Sequence, residues 1–522
     1  MKKFEDLLRA IPFLVLNARN IEGVMVSGIS LDSRQVQKGD FFVALSGGNT
    51  DGHRYIPDAI KRGAVAVVGS KPAVDMPADF PFVQVENTRA ALAHLSAAFY
   101  DFPARALTVI GVTGTDGKTT TSNIIYSILR SAGLKAGIIS TVNAVIGEEV
   151  IDTGFHVTTP EAPDVQRYLA RMRDAGLTHV VLEATSHGLA QDRVTACEFD
   201  IGVVTNITHE HLDYHGSYEA YLAAKARLFE HLQTTIVKPQ GNPRLAVLNR
   251  DDQSFSYLND LVTGRKLTYS VRENASFVAF SPRYTPAGVS FRVRYGEDGK
   301  MDVESRLIGE YNISNILAAL TATIGGLKIE PALAAEGVKR MQPVAGRMER
   351  IDLGQDFLAI VDFAHTPNAL KRALETARQM TAGRVIAVFG SAGLRDRLKR
   401  RMMAEISAEM ADVTILTAED PRTESLDEIL EEMAAAAKQR GAVEGQNLFR
   451  VADRGDAIRL GVQMAKQGDL IMALGKGHEQ SMCFGEIEYP WDDRTAMRAA
   501  LAERLGLSGY SMPYLPTRQA NN

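Results

Sequence analysis

Cysteine is nearly absent: the chain has two in 522 residues. Cys197 and Cys483 lie far apart and show no metal-ligand spacing, which argues against a disulfide framework or a cysteine metal site and predicts two reduced, buried thiols. No run of about 18 uncharged apolar residues occurs, so no membrane span is expected. A signal peptide is not indicated either: after Met1-Lys2-Lys3, the residues Glu5, Asp6 and Arg9 interrupt any apolar stretch, and a cytoplasmic protein is expected. Charge of one sign is not in excess. A formal net of −5 leaves no electrostatic footprint for nucleic acid. Internal repeats and low-complexity tracts are missing as well.

What is present has the balance of a soluble globular protein, with 45% hydrophobic and 23% charged residues. The length exceeds one ordinary core and suggests roughly three domains of about 100–200 residues. Breaks at Phe102-Pro103 and Met341-Gln342-Pro343 divide the chain into residues 1–103, 104–343 and 344–522. The first segment carries short strand-like runs (40–45, 64–68) between Gly/Asn/Asp turns. From Leu107 onward, apolar runs at 107–112, 179–183 and 201–205 alternate with helical stretches, the pattern of a parallel sheet covered on both faces. Runs at 357–362, 384–389, 413–417 and 469–474 repeat it after the second break, with an amphipathic helix over 426–439 and a helical region over 312–339. The fold class is therefore α/β throughout: a smaller N-terminal α/β domain, a central phosphate-loop domain with a mostly parallel sheet, and a second α/β unit. The last dozen residues, with Pro513 and Pro516, read as a loose tail.

The strongest chemical signal is Gly114-Thr115-Asp116-Gly117-Lys118-Thr119-Thr120-Thr121. It follows a strand and opens a helix carrying Ile124, Ile125, Ile128 and Leu129. Glycines there let backbone N–H groups face anionic oxygens, and the helix N-terminus adds positive potential. Lys118 is placed to reach the β/γ-phosphates of a triphosphate and the Thr119 hydroxyl to ligate Mg²⁺. Val112 stands where the general phosphate-loop pattern has glycine, so the loop fits the narrower Gly-Thr-x-Gly-Lys-Thr form. The loop alone implies ATP or a similar nucleotide and leaves the reaction open.

Downstream stand Glu183-Ala184-Thr185-Ser186-His187-Gly188, then 205–216 (Thr-Asn-Ile-Thr-His-Glu-His-Leu-Asp-Tyr-His-Gly) and Ala224-Lys225-Ala226-Arg227. With the phosphate loop, and with Asp32-Ser33-Arg34, Asp51-Gly52-His53, Gly346-Arg347-Met348-Glu349, Asp362-Phe363-Ala364-His365-Thr366-Pro367, Asp453-Arg454 and Gly475-Lys476-Gly477-His478-Glu479, the chain resembles the Mur ligases over essentially its whole length. Among them it is most similar to the UDP-N-acetylmuramyl-tripeptide synthetase type. The resemblance implies a uridine-nucleotide domain, an ATPase domain and a Rossmann-like closing domain. It also implies a reaction: the free carboxylate of UDP-N-acetylmuramoyl-L-alanyl-D-glutamate is phosphorylated by ATP, and the acyl phosphate is captured by a diamino acid, L-ornithine, L-lysine or meso-diaminopimelate. Mg²⁺ and a monomeric protein are expected with it.

Residue by residue, the resemblance gives ATP contacts at 114–120, Asn312, Arg347 and His365. Lys118, Glu183, His211 and Lys225 become the catalytic group. Thr119, Glu183 and His211 are metal ligands with Lys225, which is carbamylated on its amine and so acts as an anion. Ser33, His53, Thr158, Thr159, Thr185, Gln191 and Arg193 fall to the UDP substrate. Arg395, Glu419, Asp420, Arg422, Gly475 and Glu479 fall to the incoming amino acid. Glu419-Asp420-Pro421-Arg422 stands where meso-diaminopimelate enzymes carry Asp-Asn-Pro-Arg. The extra charge of Asp420 would repel a distal carboxylate by about 1–4 kcal/mol, which favours L-ornithine or L-lysine. Tyr489-Pro490-Trp491-Asp492-Asp493-Arg494 also departs from the usual ending. Folylpolyglutamate synthetase, which shares the fold and chemistry, and a phosphate-loop ATPase without ligase activity are the rival readings.

Overall fold

The protein is described from a computed structural model, which covers residues 1–11, 14–46, 50–72, 76–151, 159–208, 210, 212–285 and 288–517. The N-terminal sheet has five strands in the spatial order Val15–Arg19, Phe82–Val85, Ala66–Gly69, Asp40–Val43 and Gly28–Ser30. All pairs are parallel except the edge pair of Val15–Arg19 with Phe82–Val85. Asp40–Val43 and Ala66–Gly69 are buried at every position, as strands covered on both faces must be.

The central sheet has eleven strands. Its middle is parallel, in the order Ala136–Ile139, His179–Glu183, Thr108–Thr113, Ile201–Val204, Leu245–Asn249 and Arg265–Ser270, and antiparallel pairs extend both edges. The strand before the phosphate loop is thus innermost. Ile110 and Val112 pack on one face with Ile124, Ile125 and Ile128 of the helix Lys118–Ser131. Val109 faces the other side with Phe199, Leu228 and Phe229. This alternation fixes the loop between two cores, so its backbone is held rigidly at the carboxyl edge of the sheet, where open α/β sheets bind ligands.

The helical region expected over 312–339 is interrupted. A helix Tyr311–Leu320 widens into a π-turn over Thr321–Gly326, and a second helix, Pro331–Arg340, follows. Gly325 and Gly326 are the reason for the close approach there: a Cβ would stand 2.5 Å from Leu267 and 2.8 Å from Ile201.

The third sheet has six strands in the order Glu349–Ile351, Leu358–Asp362, Leu470–Leu474, Val385–Phe389, Val413–Leu416 and Leu448–Arg450, parallel except for the first pair. The helix Leu426–Gln439 lies where its period predicts. The loose tail does not occur as far as residue 517. Leu515 is 1% exposed, Met512 packs against the same core, and the Thr517 hydroxyl donates to Asp453 at 3.0 Å. Apolar burial outweighs the proline-rich composition. Cys197 and Cys483 are unpaired in disulfides and buried. Among the described residues, no helix is long and apolar enough to cross a membrane.

Candidate active site

The phosphate loop is built from two glycines that no other residue can replace. Gly114 has φ +144° and Gly117 φ +81°, and a Cβ on them would lie 1.9 Å from Thr205 and 2.3 Å from Asn315. Asn206 holds the loop from below: its carbonyl accepts from Thr115 N at 2.6 Å, its Oδ1 from Asp116 N at 3.1 Å, and its Nδ2 donates to Asp116 O at 3.0 Å. Lys118 Nζ donates to Thr115 O at 2.7 Å. Such a turn presents backbone N–H groups and a lysine to an anion.

Glu183 ends the neighbouring strand and is completely buried. It accepts from the Thr119 hydroxyl at 3.2 Å, the Thr141 hydroxyl at 2.8 Å and Thr141 N at 3.3 Å. Burial raises its carboxyl above the ordinary range, opposed by Thr141 and by the charges of Lys118 and Arg347. A cation beside it would restore the ionised form.

Lys225 projects from the helix Tyr218–Thr234 and is 1% exposed. Its Nζ donates to Gly114 O at 2.6 Å and lies 4.5 Å from the Tyr221 ring centroid. Burial, then the charge of Lys118, pushes its amine well below the usual lysine range. The amine is thus poised to be neutral and nucleophilic. His211 and Thr158 lie outside the described residues.

A cavity of about 620 Å³ opens between this loop and the third sheet. Asp116, Gly117, Thr120 and Asn312 line it from the central domain, and Arg347 and Asp362 from the other side. Arg347 Nη2 donates to the Thr119 hydroxyl at 3.4 Å, and its guanidinium stacks 4.4 Å from the Phe363 ring centroid. Asn368 Nδ2 donates to Asp116 Oδ2 at 3.1 Å. His365 sits beside the cavity instead of lining it, its Nδ1 donating to Phe363 O at 2.9 Å and its Nε2 lying 3.6 Å from Glu210.

Thr159, Thr185, Gln191 and Arg193 come together. Thr159 donates to Glu183 O at 3.0 Å and shares a hydroxyl contact with Thr185 at 3.0 Å. Arg193 donates to Thr159 O at 2.8 Å and to Gln191 Oε1 at 2.7 Å, and pairs with Glu161 at 2.9 Å. In the N-terminal domain Ser33 is buried in a 3₁₀ turn capped by Asp32. His53 uses both ring nitrogens internally: Nδ1 meets Asp51 at 2.6 Å and Nε2 accepts from Ser70 N at 3.0 Å. It shapes the Ser70–Lys71 turn and offers a ligand no ring nitrogen.

The third domain gathers Glu419, Asp420, Arg422, Gly475 and Glu479 at the carboxyl ends of Val413–Leu416 and Leu470–Leu474. Glu419 Oε2 is buried with no hydrogen-bond partner among the described residues. Gly475 lies against it, where a Cβ would stand 2.2 Å from that oxygen. Asp420 and Arg422 hold positive φ, +41° and +54°, and strain of this kind gathers at binding sites. Arg395 is exposed, two residues after Gly393, whose N–H donates to Asp420 O at 3.0 Å. The expectation of an uncompensated Asp420 is corrected. Its carboxylate takes Lys476 Nζ at 2.9 and 3.0 Å and Cys483 N at 2.9 Å. Lys476 is fully buried and also bridges to Glu479 at 2.5 Å. Lys476 is shared between two carboxylates, so it partly offsets the charge at 420 and weakens, without removing, the electrostatic argument for L-ornithine or L-lysine.

Thr141, Asn206, Asn368 and Lys476 are site residues that sequence reasoning did not select. Asn206 and Lys476 sit inside recognised motifs, whereas Thr141 carries no signal beyond following the strand Ala136–Ile139.

Three family patterns match in chain order: Mur ligase family, catalytic domain, over residues 25–100; Mur ligase middle domain over 112–323; and Mur ligase, glutamate ligase domain, over 346–477. A UDP-N-acetylmuramyl-tripeptide synthetase of Roseiflexus sp. (strain RS-1) is 44% identical over 491 residues, covering 93% of this chain and 96% of that protein. The chain belongs to the Mur ligase family. As a Mur ligase it is an ATP-dependent ligase. A UDP-N-acetylmuramoyl-L-alanyl-D-glutamate--2,6-diaminopimelate ligase of Geobacillus kaustophilus (strain HTA426) is 40% identical over 480 residues, 92% of this chain and 95% of the relative. A solved structure of a ligase with that same activity in its description is 31% identical with a TM-score of 0.63, covering 92% of this Mur ligase and 95% of that chain. A Mycobacterium tuberculosis folylpolyglutamate synthase is 15% identical with a TM-score of 0.61 and shares the fold alone.

Proposed function

We propose that this Mur ligase adds a diamino acid to the D-glutamate carboxylate of UDP-N-acetylmuramoyl-L-alanyl-D-glutamate, through an acyl phosphate, during cytoplasmic peptidoglycan synthesis. The observation that carries the reading is a phosphate loop facing Arg347 across one cavity, with an acidic cluster apart from it in the third domain. The phosphate loop forms one wall, with Glu183 bonded to its Thr119 and Lys225 to its Gly114. Arg347 reaches Thr119 from the other side, and a buried carboxylate oxygen of Glu419, without a hydrogen-bond partner among the described residues, lies apart in the third domain. Residues 1–103 take the uridine end, 104–343 the ATP and 344–522 the amino acid, in a monomer.

A carboxylate approaching a triphosphate brings like charges together, so the site must supply cations. Lys118 and Arg347 do so from opposite sides, and the loop N–H groups hold the phosphates still. Thr119, Glu183, His211 and Lys225, once carbamylated, are the residues that would hold Mg²⁺, a hard ion that takes such oxygen donors. Burial of Glu183 suits it, since its carboxylate gains most from a neighbouring cation. Held by these residues, Mg²⁺ would supply positive charge against that developing on the transferred phosphoryl group. The carbamate forms when the neutral Lys225 amine attacks CO₂, making an N–C bond and releasing one proton. Thr159, Thr185, Gln191 and Arg193, one strand away, orient the muramyl-dipeptide. Glu419 and Glu479 receive the ammonium groups of the amino acid, while Arg422 and Arg395 face its carboxylate.

The test supplies ATP, Mg²⁺ and the muramyl-dipeptide with meso-diaminopimelate, L-lysine or L-ornithine separately, and weighs the product. A new amide with one diamino acid is expected. ATP hydrolysis indifferent to both the dipeptide and the amino acid would instead make the chain an ATPase without ligase activity.

A further inference from the structure

Two sequence features stand apart from the site just described: Asp453-Arg454, and the atypical segment 489–494. The structure joins them. Arg454 opens the helix Arg454–Met464 and is completely buried. Its Nε and Nη2 form a fork on Asp493, each at 2.7 Å, and Trp491 Nε1 donates to the same carboxylate at 2.8 Å. The remaining donors leave the ion pair and run to two main-chain carbonyls. Nη1 reaches Ala418 O at 3.1 Å and Nη2 reaches Leu474 O at 2.8 Å. Those carbonyls immediately precede Glu419 and Gly475.

We propose that Arg454, braced by Asp493 and Trp491, is a positioning residue for the amino-acid substrate: it ties the ends of two non-adjacent strands so that Glu419 and Gly475 present a fixed ammonium pocket. Val413–Leu416 and Leu470–Leu474 do not pair with each other, because Val385–Phe389 runs between them. No ladder joins them directly; both pair with Val385–Phe389, and Arg454 adds a direct tie across it between their carboxyl ends. A planar guanidinium with five donors reaches both carbonyls while gripping the carboxylate with two parallel bonds in a fixed plane; an ammonium, with three donors on one atom, cannot keep that two-pronged grip or its reach. Arg454 is also the foremost positive charge acting on Glu419, ahead of Lys399, His365 and Lys476, and opposes the burial that raises the Glu419 carboxyl. Asp493 holds the guanidinium ionised and the Trp491 indole holds Asp493, so the segment 489–494 acts at the pocket without touching substrate.

This inference rests on the proposed amino-acid ligation, and the experiment separates the two. Product formed by the unaltered chain with a diamino acid is the entry condition; without it, the functional reading fails and not this one. Arg454→Lys is then assayed alongside Trp491→Phe, which deletes a single hydrogen bond and keeps the fold if Arg454→Lys does not. KM for the amino acid is expected to rise about tenfold or more in Arg454→Lys, the scale of a small misplacement of binding groups, and severalfold in Trp491→Phe. Hydroxylamine trapping of the acyl phosphate, with ATP and muramyl-dipeptide but no amino acid, is expected to stay within about twofold. An unmoved amino-acid KM in the folded variants overturns the proposal. So does a parallel loss of the trapping rate, which would make the strut a general element of stability.

Discussion

Burying an ammonium costs several kcal/mol unless it is paired, and a lysine so placed tends to lose its proton instead. Lys225 is in that position, with Lys118 as the largest charge acting on it after burial itself. The proposed carbamylation would resolve the conflict by turning a disfavoured cation into an anion within the field of Lys118. Lys225→Ala is expected to lower ligation at least about a thousandfold, with no recovery in high bicarbonate. Rigorous removal of CO₂ is expected to slow the unaltered chain and re-addition to restore it; turnover indifferent to both would remove the modified lysine from the mechanism. A second residue-scale expectation concerns His231, whose imidazole burial and Arg227 hold down at about 4. An unfolded histidine titrates near 6.5, so the unfolded chain binds the extra proton between these values and stability falls as pH drops from 6.5 to 4. The buried acids Glu183 and Glu419 titrate with the opposite sign. The histidine's share is therefore read as a difference: the unfolding free energy of the chain should decline more steeply over this window than that of His231→Gln. Equal slopes would refute it.

Among the elements, the phosphate helix Lys118–Ser131 depends on a close neighbour. Pro331–Arg340 crosses it at Gly337, where a Cβ would stand 2.5 Å from Ile128 Cα, and Ser127 donates to Gly337 O at 2.7 Å. Gly337→Ala gains about 1 kcal/mol of helix propensity, but the clash is with backbone, and overpacking costs about 1–3 kcal/mol or more. A net loss of about 1–2 kcal/mol in denaturant unfolding is expected, where an exposed helix glycine would show a gain. Elements with a clean period were legible in the sequence: Leu426–Gln439 and His179–Glu183 have their observed bounds. The π-turn over Thr321–Gly326 was not, because nothing local in that stretch requires it; the close approach of Leu267 and Ile201 does. The packed tail was missed for the same reason. Proline and polar residues argued for a loose end, and Leu515 found a core from a distance.

At the scale of the whole molecule, the cavity proposed for ATP exists because two domains meet. Asn368 donates to Asp116, and Arg347 to Thr119, across that junction. Asn368→Asp would set two carboxylates about 3 Å apart, a repulsion on the order of 1–5 kcal/mol at effective dielectrics of 80 to 20. KM for ATP is expected to rise by about tenfold or more, with the thermal midpoint of unfolding nearly unchanged. A variant with unaltered ATP kinetics would show that this contact does not hold the domains closed.

The sequence by itself determined the α/β class, the phosphate loop and the order of the chemical motifs, since strand burial, glycine placement and the lysine at a helix start are local requirements written in adjacent residues. Only the tertiary structure decided what each charge faces. Asp420 reads as free negative charge until Lys476, 56 residues away, is seen to pair with it. His53 reads as a ligand until Asp51 and Ser70 take both its nitrogens. Electrostatic energy depends on distance in space and on the water excluded between groups, and neither quantity is carried by spacing along the chain.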